Sequence, residues 1–323
     1  MSVSALSAPG LENALDRRAI DWLLASDEPA IRLLARRDLL GEDAEDPEAV
    51  MRGPKVRALL AGQRPDGGFG VDPYRKWTGA HWRLVSLVEL GVPAGEPHAV
   101  AAANTVLAWL TRPTRRVRVI RGLVRRCASI EGNALAACCR LGMADDPRVR
   151  SLARDLVEWQ WPDGGWNCDR AASGRRSSFH ESLIPAWGLH EFGAATGEGW
   201  ARDAAHRTTE LLLDHRLFRT LATAEPVDPH WLNLRYPPYW HYDVLQALLV
   251  LARLGLAGDP RAADALDLVE AKRLPDGRWR ADGAWWKPLG RPGGGVEVVD
   301  WGRRGPNEMI TLNALRVLAS AGR

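Results

Sequence analysis

Apolar residues recur at three- and four-residue intervals along most of the chain, and two kinds of helical stretch alternate. In the first kind the apolar positions run nearly all the way round. Asn133-Ala134-Leu135-Ala136-Ala137-Cys138-Cys139 and Val244-Leu245-Gln246-Ala247-Leu248-Leu249 leave little polar surface, as a helix buried on most sides requires. Inner helices of this type are predicted over about 30–40, 78–90, 130–141, 178–192, 241–254 and 307–319. The second kind keeps a charged face, over about 13–24, 48–63, 98–110, 148–160, 200–215 and 261–273. Inner starts return roughly every fifty residues, with insertions late in the chain.

A repeated turn stands between the two kinds. Gln63-Arg64-Pro65-Asp66-Gly67-Gly68-Phe69, Gln160-Trp161-Pro162-Asp163-Gly164-Gly165-Trp166 and Leu274-Pro275-Asp276-Gly277-Arg278-Trp279 each follow a charged-face helix and precede an inner one. Pro fixes φ, Asp bonds the backbone two residues on, and Gly supplies positive φ. The following aromatic can pack back on the helix just ended, and Gln lies near enough to bond the loop backbone. Six buried helices alternating with six half-exposed ones predict an all-α fold, an α6/α6 toroid or α/α barrel with an inner ring inside an outer one. An open solenoid is the competing arrangement. A single domain over 1–323 is expected, with about a dozen N-terminal residues disordered.

Composition changes this picture in three places. The net charge of +3 is too mild for a nucleic-acid partner. Fifteen Trp against four Phe and four Tyr call for large ring faces somewhere in the fold. The four cysteines, Cys127, Cys138, Cys139 and Cys168, lack a C-x-x-C spacing, so reduced thiols and a cytoplasmic protein are expected. No N-terminal leader pattern and no window of spanning length is found.

The Gln-x-Pro-Asp-Gly-Gly-aromatic repeat with this helix alternation resembles the α/α toroids of the terpenoid cyclase and protein prenyltransferase superfamily, squalene-hopene cyclases included. The resemblance covers roughly residues 14–320 and implies aromatic cavity walls and an isoprenoid-type substrate. It departs from the pattern at the acid motif, because the chain has no Asp-x-Asp-Asp and Asn167-Cys168-Asp169-Arg170 is the nearest stretch. Protein prenyltransferases hold Zn²⁺ with an Asp-x-Cys pair and a His; here only His241 matches.

Parallel inner helices would open their N-termini at one end of a central cavity, where polar groups converge. His180 with Glu181, and His241 two residues before Asp243, are the candidate catalytic groups, because caps alone do not account for paired imidazoles and acids. The same four are the weaker alternative as Zn²⁺ or Mg²⁺ ligands, no cofactor being the first expectation. Candidate substrate contacts are Arg32, Trp77, His81, Trp82, Arg83, Asn133, Trp240, Trp286, Trp301 and Glu308. Glu131 and Asn307 read as helix caps. Arg112, Arg115, Arg116, Arg118, Arg121, Arg125 and Arg126 read as solvated surface or as an anion site before the third inner helix. The long connections 216–240 and 280–306 are expected over the cavity mouth, with 290–295 as a lid tip. The predicted function is a terpene-cyclase-like or prenyl-transforming enzyme acting on a small, partly apolar molecule. The alternatives are a carbohydrate-active α6/α6 enzyme (glycosidase, lyase or epimerase) and a non-catalytic toroid binding lipid or protein. Peripheral membrane contact and the oligomeric state are left open.

Overall fold

Where the sequence alternates two kinds of helix, the chain alternates between two concentric rings. The computed structural model describes residues 14–43, 46–113, 115 and 117–323. Along the chain run α1 (Ala14–Leu24), α2 (Pro29–Leu39), α3 (Pro47–Arg52), α4 (Pro54–Leu60), α5 (Ala80–Glu89), α6 (Pro97–Leu110), α7 (Ala128–Arg140), α8 (Pro147–Trp159), α9 (Phe179–Thr196), α10 (Gly199–Asp214), α11 (Val244–Arg253), α12 (Ala263–Ala271) and α13 (Glu308–Ser320). The inner ring is α2, α5, α7, α9, α11 and α13; the last five are buried over most of their circumference, and α2 keeps an exposed face at Arg36 and Arg37. Successive members pack on one another from α5 to α13, and α13 packs on both α2 and α1. Leu34 of α2 lies beside Gly91, which follows α5. The ring is therefore closed, an all-α toroid. Among the described residues, no helix is long and apolar enough to cross a membrane.

Three local departures have physical causes. The predicted helix over 48–63 is two helices, because Gly53 takes ψ 138° and Pro54 cannot donate a helical N–H. The Glu28 carboxylate accepts the Lys55 N–H there at 2.8 Å. The arginine-rich segment forms a small antiparallel hairpin, β1 (Arg118–Ile120) with β2 (Leu123–Arg125). Arg116 lies outside the described residues, as do the expected helix start at Asn13 and the N-terminal dozen.

The repeated turn works as expected and also reaches further. Gln63 Nε2 donates to Gly67 O at 3.1 Å and Gln160 Nε2 to Gly164 O at 2.8 Å. Trp166 and Trp279 are buried, and their indole N–H groups donate back to Leu156 O and Val269 O, at 2.9 and 2.7 Å. The same glutamines also bond the next outer helix, at His98 O and Ala204 O. The turn glycines lie against that helix too. A Cβ on Gly67 would stand 2.2 Å from Ala101 O, and one on Gly277 2.2 Å from Leu15 O. In the third copy the next outer helix is α1, so this turn helps close the ring, with Arg273 in place of Gln bonding Asp16 at 2.8 Å.

At the C-terminal end each inner helix contributes one charge near its last turn: Asp38, Glu89, Arg140, Glu191, Arg253 and Arg316. Arg140 meets Glu191 at 2.8 Å, and Arg253 reaches both Glu89 oxygens at 2.9 Å. Arg316 Nε bonds Asp38 at 2.9 Å across the seam. Burial alone would push the Glu89 carboxyl up, but Arg253 and Arg140 more than offset it and hold it below the usual range. The meeting of these six ends shows that the inner helices run parallel.

Gly277→Ala places a methyl against the Leu15 carbonyl at φ 87°. It should lower the unfolding free energy by about 2 kcal/mol or more in denaturant titration. Gly258→Ala, which meets no atom within 4 Å, should change it by less than about 0.5 kcal/mol. For Asp38, burial raises the carboxyl but Arg316 and then Arg37 bring it down to about 2. A depressed folded-state pKa adds stability that is present above the ordinary value of 3.8 and lost as pH falls toward 2. Asp38→Asn should therefore flatten the acid side of the stability profile, removing at most about 2 kcal/mol of pH-dependent stability.

Candidate functional site

Both long connections fold over the N-terminal end of the inner ring and are tied to each other. Leu234 and Asp282 exchange two hydrogen bonds at 2.8 Å, and the Trp77 N–H bonds Val296 O at 3.2 Å. From the first connection, Tyr236-Pro237-Pro238-Tyr239 descends into the ring. Trp286 Nε1 donates to Tyr236 O at 3.0 Å, Asn133 Nδ2 to Tyr239 O at 3.1 Å, and the Tyr239 hydroxyl to Glu297. Burial pushes the Glu297 carboxyl up to about 7. The expected ligand-sized central cavity is thereby corrected, because about 30 Å³ is left beneath Tyr239, room for one or two waters. Ser86 Oγ, Asn133 Oδ1 and Gln246 Nε2 face this space without protein partners.

The predicted catalytic quartet does not share a set of partners. Asp243 caps α11, its Oδ1 accepting the Gln246 N–H at 3.0 Å and its Oδ2 the Arg235 N–H at 3.4 Å. Burial raises its pKa to about 7, yet both oxygens serve the backbone, so the capping role is what the fold uses. His180 Nδ1 accepts the Tyr242 N–H at 2.9 Å, which places its proton on Nε2. His241 is stacked between Trp240 and Trp285, with ring centroids 3.9 and 4.0 Å away. Its Nδ1 bonds Pro238 O at 3.0 Å, and burial pushes its pKa down to about 3. Both imidazoles are wall components of the mouth, and neither hydrogen-bonds Glu181 or Asp243.

The predicted substrate contacts divide in the same way. Arg83 is spent on structure, donating to Thr78 O at 2.8 Å and to Leu59 O and Ala61 O at the end of α4. Arg32 bonds Ser26 O, and Glu308 bonds Ser26 and Lys55 at the seam. Trp286 and Trp301 are buried against Tyr236. Trp77 stacks on Tyr239 at 4.4 Å and meets Trp82 edge-on at 5.0 Å. Trp240 carries Lys76 over its ring at 4.8 Å. His81 is fully buried beside Trp82, neither ring nitrogen has a hydrogen-bond partner, and burial followed by Arg115 pushes its pKa down to about 3. Asn307 does cap α13, bonding the Ile310 N–H at 3.0 Å. Glu131 does not cap; it pairs with Arg115 at 3.0 Å and Arg126 at 2.5 Å.

One predicted residue, Glu181, anchors a cluster that the sequence did not reveal. α7 and α9 touch backbone to backbone, because a Cβ on Gly132 would lie 2.6 Å from Pro185 N and one on Gly188 2.6 Å from Gly132 O. This contact brings the helix starts together. Glu181 Oε2 accepts the Ser129 N–H at 3.0 Å and the Ser129 hydroxyl at 2.7 Å, while Oε1 accepts from Cys168 Sγ at 3.4 Å. Cys127 completes the group, and one donor atom from each of Cys127, Cys168 and Glu181 lies within 4.8 Å of the others. Burial raises the Glu181 carboxyl, against the two Ser129 bonds that favour its charged form. The neighbouring Cys168 lowers the Cys127 thiol, and Cys127 is exposed while Glu181 is buried. Across from the carboxyl lies Tyr74, whose hydroxyl is pushed up to about 12 by burial and then by the charges of Cys127, Glu181 and Cys168. Its ring stacks on Trp109 at 6.0 Å and tilts on Trp82 at 5.2 Å. Two thiols and a carboxylate suit a zinc ion as donors. The available signal was position alone: Cys127 immediately precedes an inner helix, and Cys168 follows the second turn motif.

No protein-family model matches the chain, and no curated protein matches it. Among solved structures it is similar to a protein from Actinoplanes, with 18% identity, 96% of this chain and 90% of that one covered, and a TM-score of 0.42. It is also similar to a GH76 α-mannanase from Bacteroides thetaiotaomicron, with 11% identity, coverage of 75% and 68%, and a TM-score of 0.38. A third is the type II terpene cyclase MstE from Scytonema, with 13% identity, coverage of 83% and 96%, and a TM-score of 0.29. Identities this low leave the activity to be read from the chain's own residues.

Proposed function

We propose that this toroid is a terpene-cyclase-like or prenyl-transforming enzyme, acting on a partly apolar, isoprenoid-type molecule at the rim between α5, α7 and α9. The observation that carries this reading is the Glu181 carboxyl. One oxygen is pinned by Ser129, the other accepts from Cys168 beside the exposed Cys127, and the Tyr74, Trp82 and Trp109 rings stand nearby. Burial favours the protonated form of this carboxyl, and a carboxylic acid can give its proton to a carbon–carbon double bond. The cation so formed is stabilised by aromatic faces. Loss of a proton from a neighbouring carbon back to the Glu181 carboxylate ends the reaction and restores the acid.

A second reading has its own support. The three-donor geometry at Cys127, Cys168 and Glu181 suits Zn²⁺ at the same rim, with water or substrate at an open position. A glycosidase-type mechanism needs a second available carboxyl across the cleft. Glu131 is committed to two guanidinium groups and Asp243 to backbone N–H groups.

Incubation with linear isoprenoids in D₂O, followed by mass spectrometry, should yield cyclised or isomerised products carrying deuterium. Glu181→Gln should lower turnover by about a hundredfold or more, whereas Cys127→Ser should leave it within a few-fold. Equal losses in both variants, together with one zinc per purified chain, would establish the metal reading instead. The active form is the protonated acid, so the rate should be level at low pH and fall as pH rises through the raised Glu181 pKa. Ser129→Ala removes a hydrogen bond that favours the carboxylate, so the falling limb should move to higher pH. Absence of any isoprenoid binding or turnover would refute both forms of the enzyme.

A further inference from the structure

A groove of about 370 Å³ opens beside the Glu181 rim, between the β1–β2 hairpin, the second turn motif and the loop that follows Cys168. Arg121, Arg125 and Arg175 line it, together with one acid, Asp163. Asp163 is already satisfied, its oxygens accepting the Ser177 N–H at 2.8 Å and the Ser177 hydroxyl at 2.6 Å. Arg125 is not. Only 5% exposed, it donates Nη2 to Gly174 O at 2.6 Å and lies over the Trp161 ring at 4.5 Å. Its Nε and Nη1 have no hydrogen-bond partner, and among the described residues it forms no ion pair. Leaving two nitrogens of a buried guanidinium unmet is costly, and native proteins rarely do so without a ligand or water to meet them.

Arg121, Arg125 and Arg175 outnumber the one carboxylate of the groove lining, Asp163, with Asp169 lying at its edge beside Gly174. The buried Arg125, flanked by the exposed Arg121 and Arg175, sets three guanidinium groups along one groove, and such forks recognise phosphoryl oxygens. We propose that Arg121, Arg125 and Arg175 form a binding site for a diphosphate group. The source of that group rests on the function proposed above. Arg125 stands just before Cys127, and Gly174 belongs to the loop that starts at Cys168, so a diphosphate here sits at the outer edge of the Glu181 rim. It would be the polar end of an isoprenoid whose apolar part reaches the aromatic wall.

Isothermal titration of the full chain with inorganic pyrophosphate should show one saturable site. Arg125→Met should abolish binding, and the Arg121→Ala/Arg175→Ala double variant, altered only at exposed positions, should weaken it by about tenfold or more. The double variant keeps the test decisive should Arg125→Met fail to fold, as circular dichroism would report. No saturable binding, or unchanged affinity in the double variant, overturns the site. Farnesyl diphosphate binding at least about tenfold tighter than pyrophosphate identifies a lipid head group as the source, and equal affinity identifies free diphosphate. Glu181→Gln should bind pyrophosphate like the parent chain, so loss of turnover and loss of the anion site are read separately.

Discussion

A ring of helices has to end where it began, and that constraint shapes this protein more than any local preference. α13 must find α1 and α2 after almost the whole chain has intervened. The seam is therefore furnished with contacts that cannot form in a linear stack: Arg316 with Asp38, Glu308 with Ser26 and Lys55, Arg273 with Asp16, and Gly277 pressed against the Leu15 carbonyl. Across the floor, Arg253 bonds Glu89 of the opposite helix. Half-buried ion pairs of this kind add little to stability by themselves. They do penalise every arrangement that leaves one partner alone, and closure is the arrangement that leaves none.

Parallel inner helices are the direct consequence, and they separate the two ends of the ring by chemistry. The C-terminal end is a closed lattice of opposite charges. At the N-terminal end, unpaired backbone N–H groups favour acids, and the long connections have somewhere to fold. They fill the middle of the ring with Tyr236 and Tyr239 rather than leaving it open. The candidate site therefore lies off the axis, at the rim, where Gly132 and Gly188 let α7 and α9 approach closely enough for Ser129 to hold Glu181.

The rim joins features that are individually unremarkable. A buried acid, two neighbouring thiols, a wall of rings and a guanidinium with unmet donors lie along one path from the hairpin to α5. Under the proposed function they would supply a proton, faces for a cation and a grip for an anion.

The alternation of apolar circumference with charged face determined the rings and their order, because burial demands are written locally in each helix. The Pro-Asp-Gly turns determined where those helices stop, and the Gln bond to the loop backbone and the Trp contact back to the preceding helix were legible for the same reason. Glu181 could be named from its place at a helix start, but its role could not be told from that of Asp243, which occupies an equivalent place and caps. Cys127 and Cys168 were invisible as a pair, since they are far apart in sequence and no spacing rule joins them. The alternating charges of the floor, the Tyr236–Tyr239 plug and the unmet Arg125 likewise came only from the tertiary structure. Which polar groups meet depends on how closely neighbouring backbones approach and on which loop fills the centre, and these distances are fixed only when the ring closes.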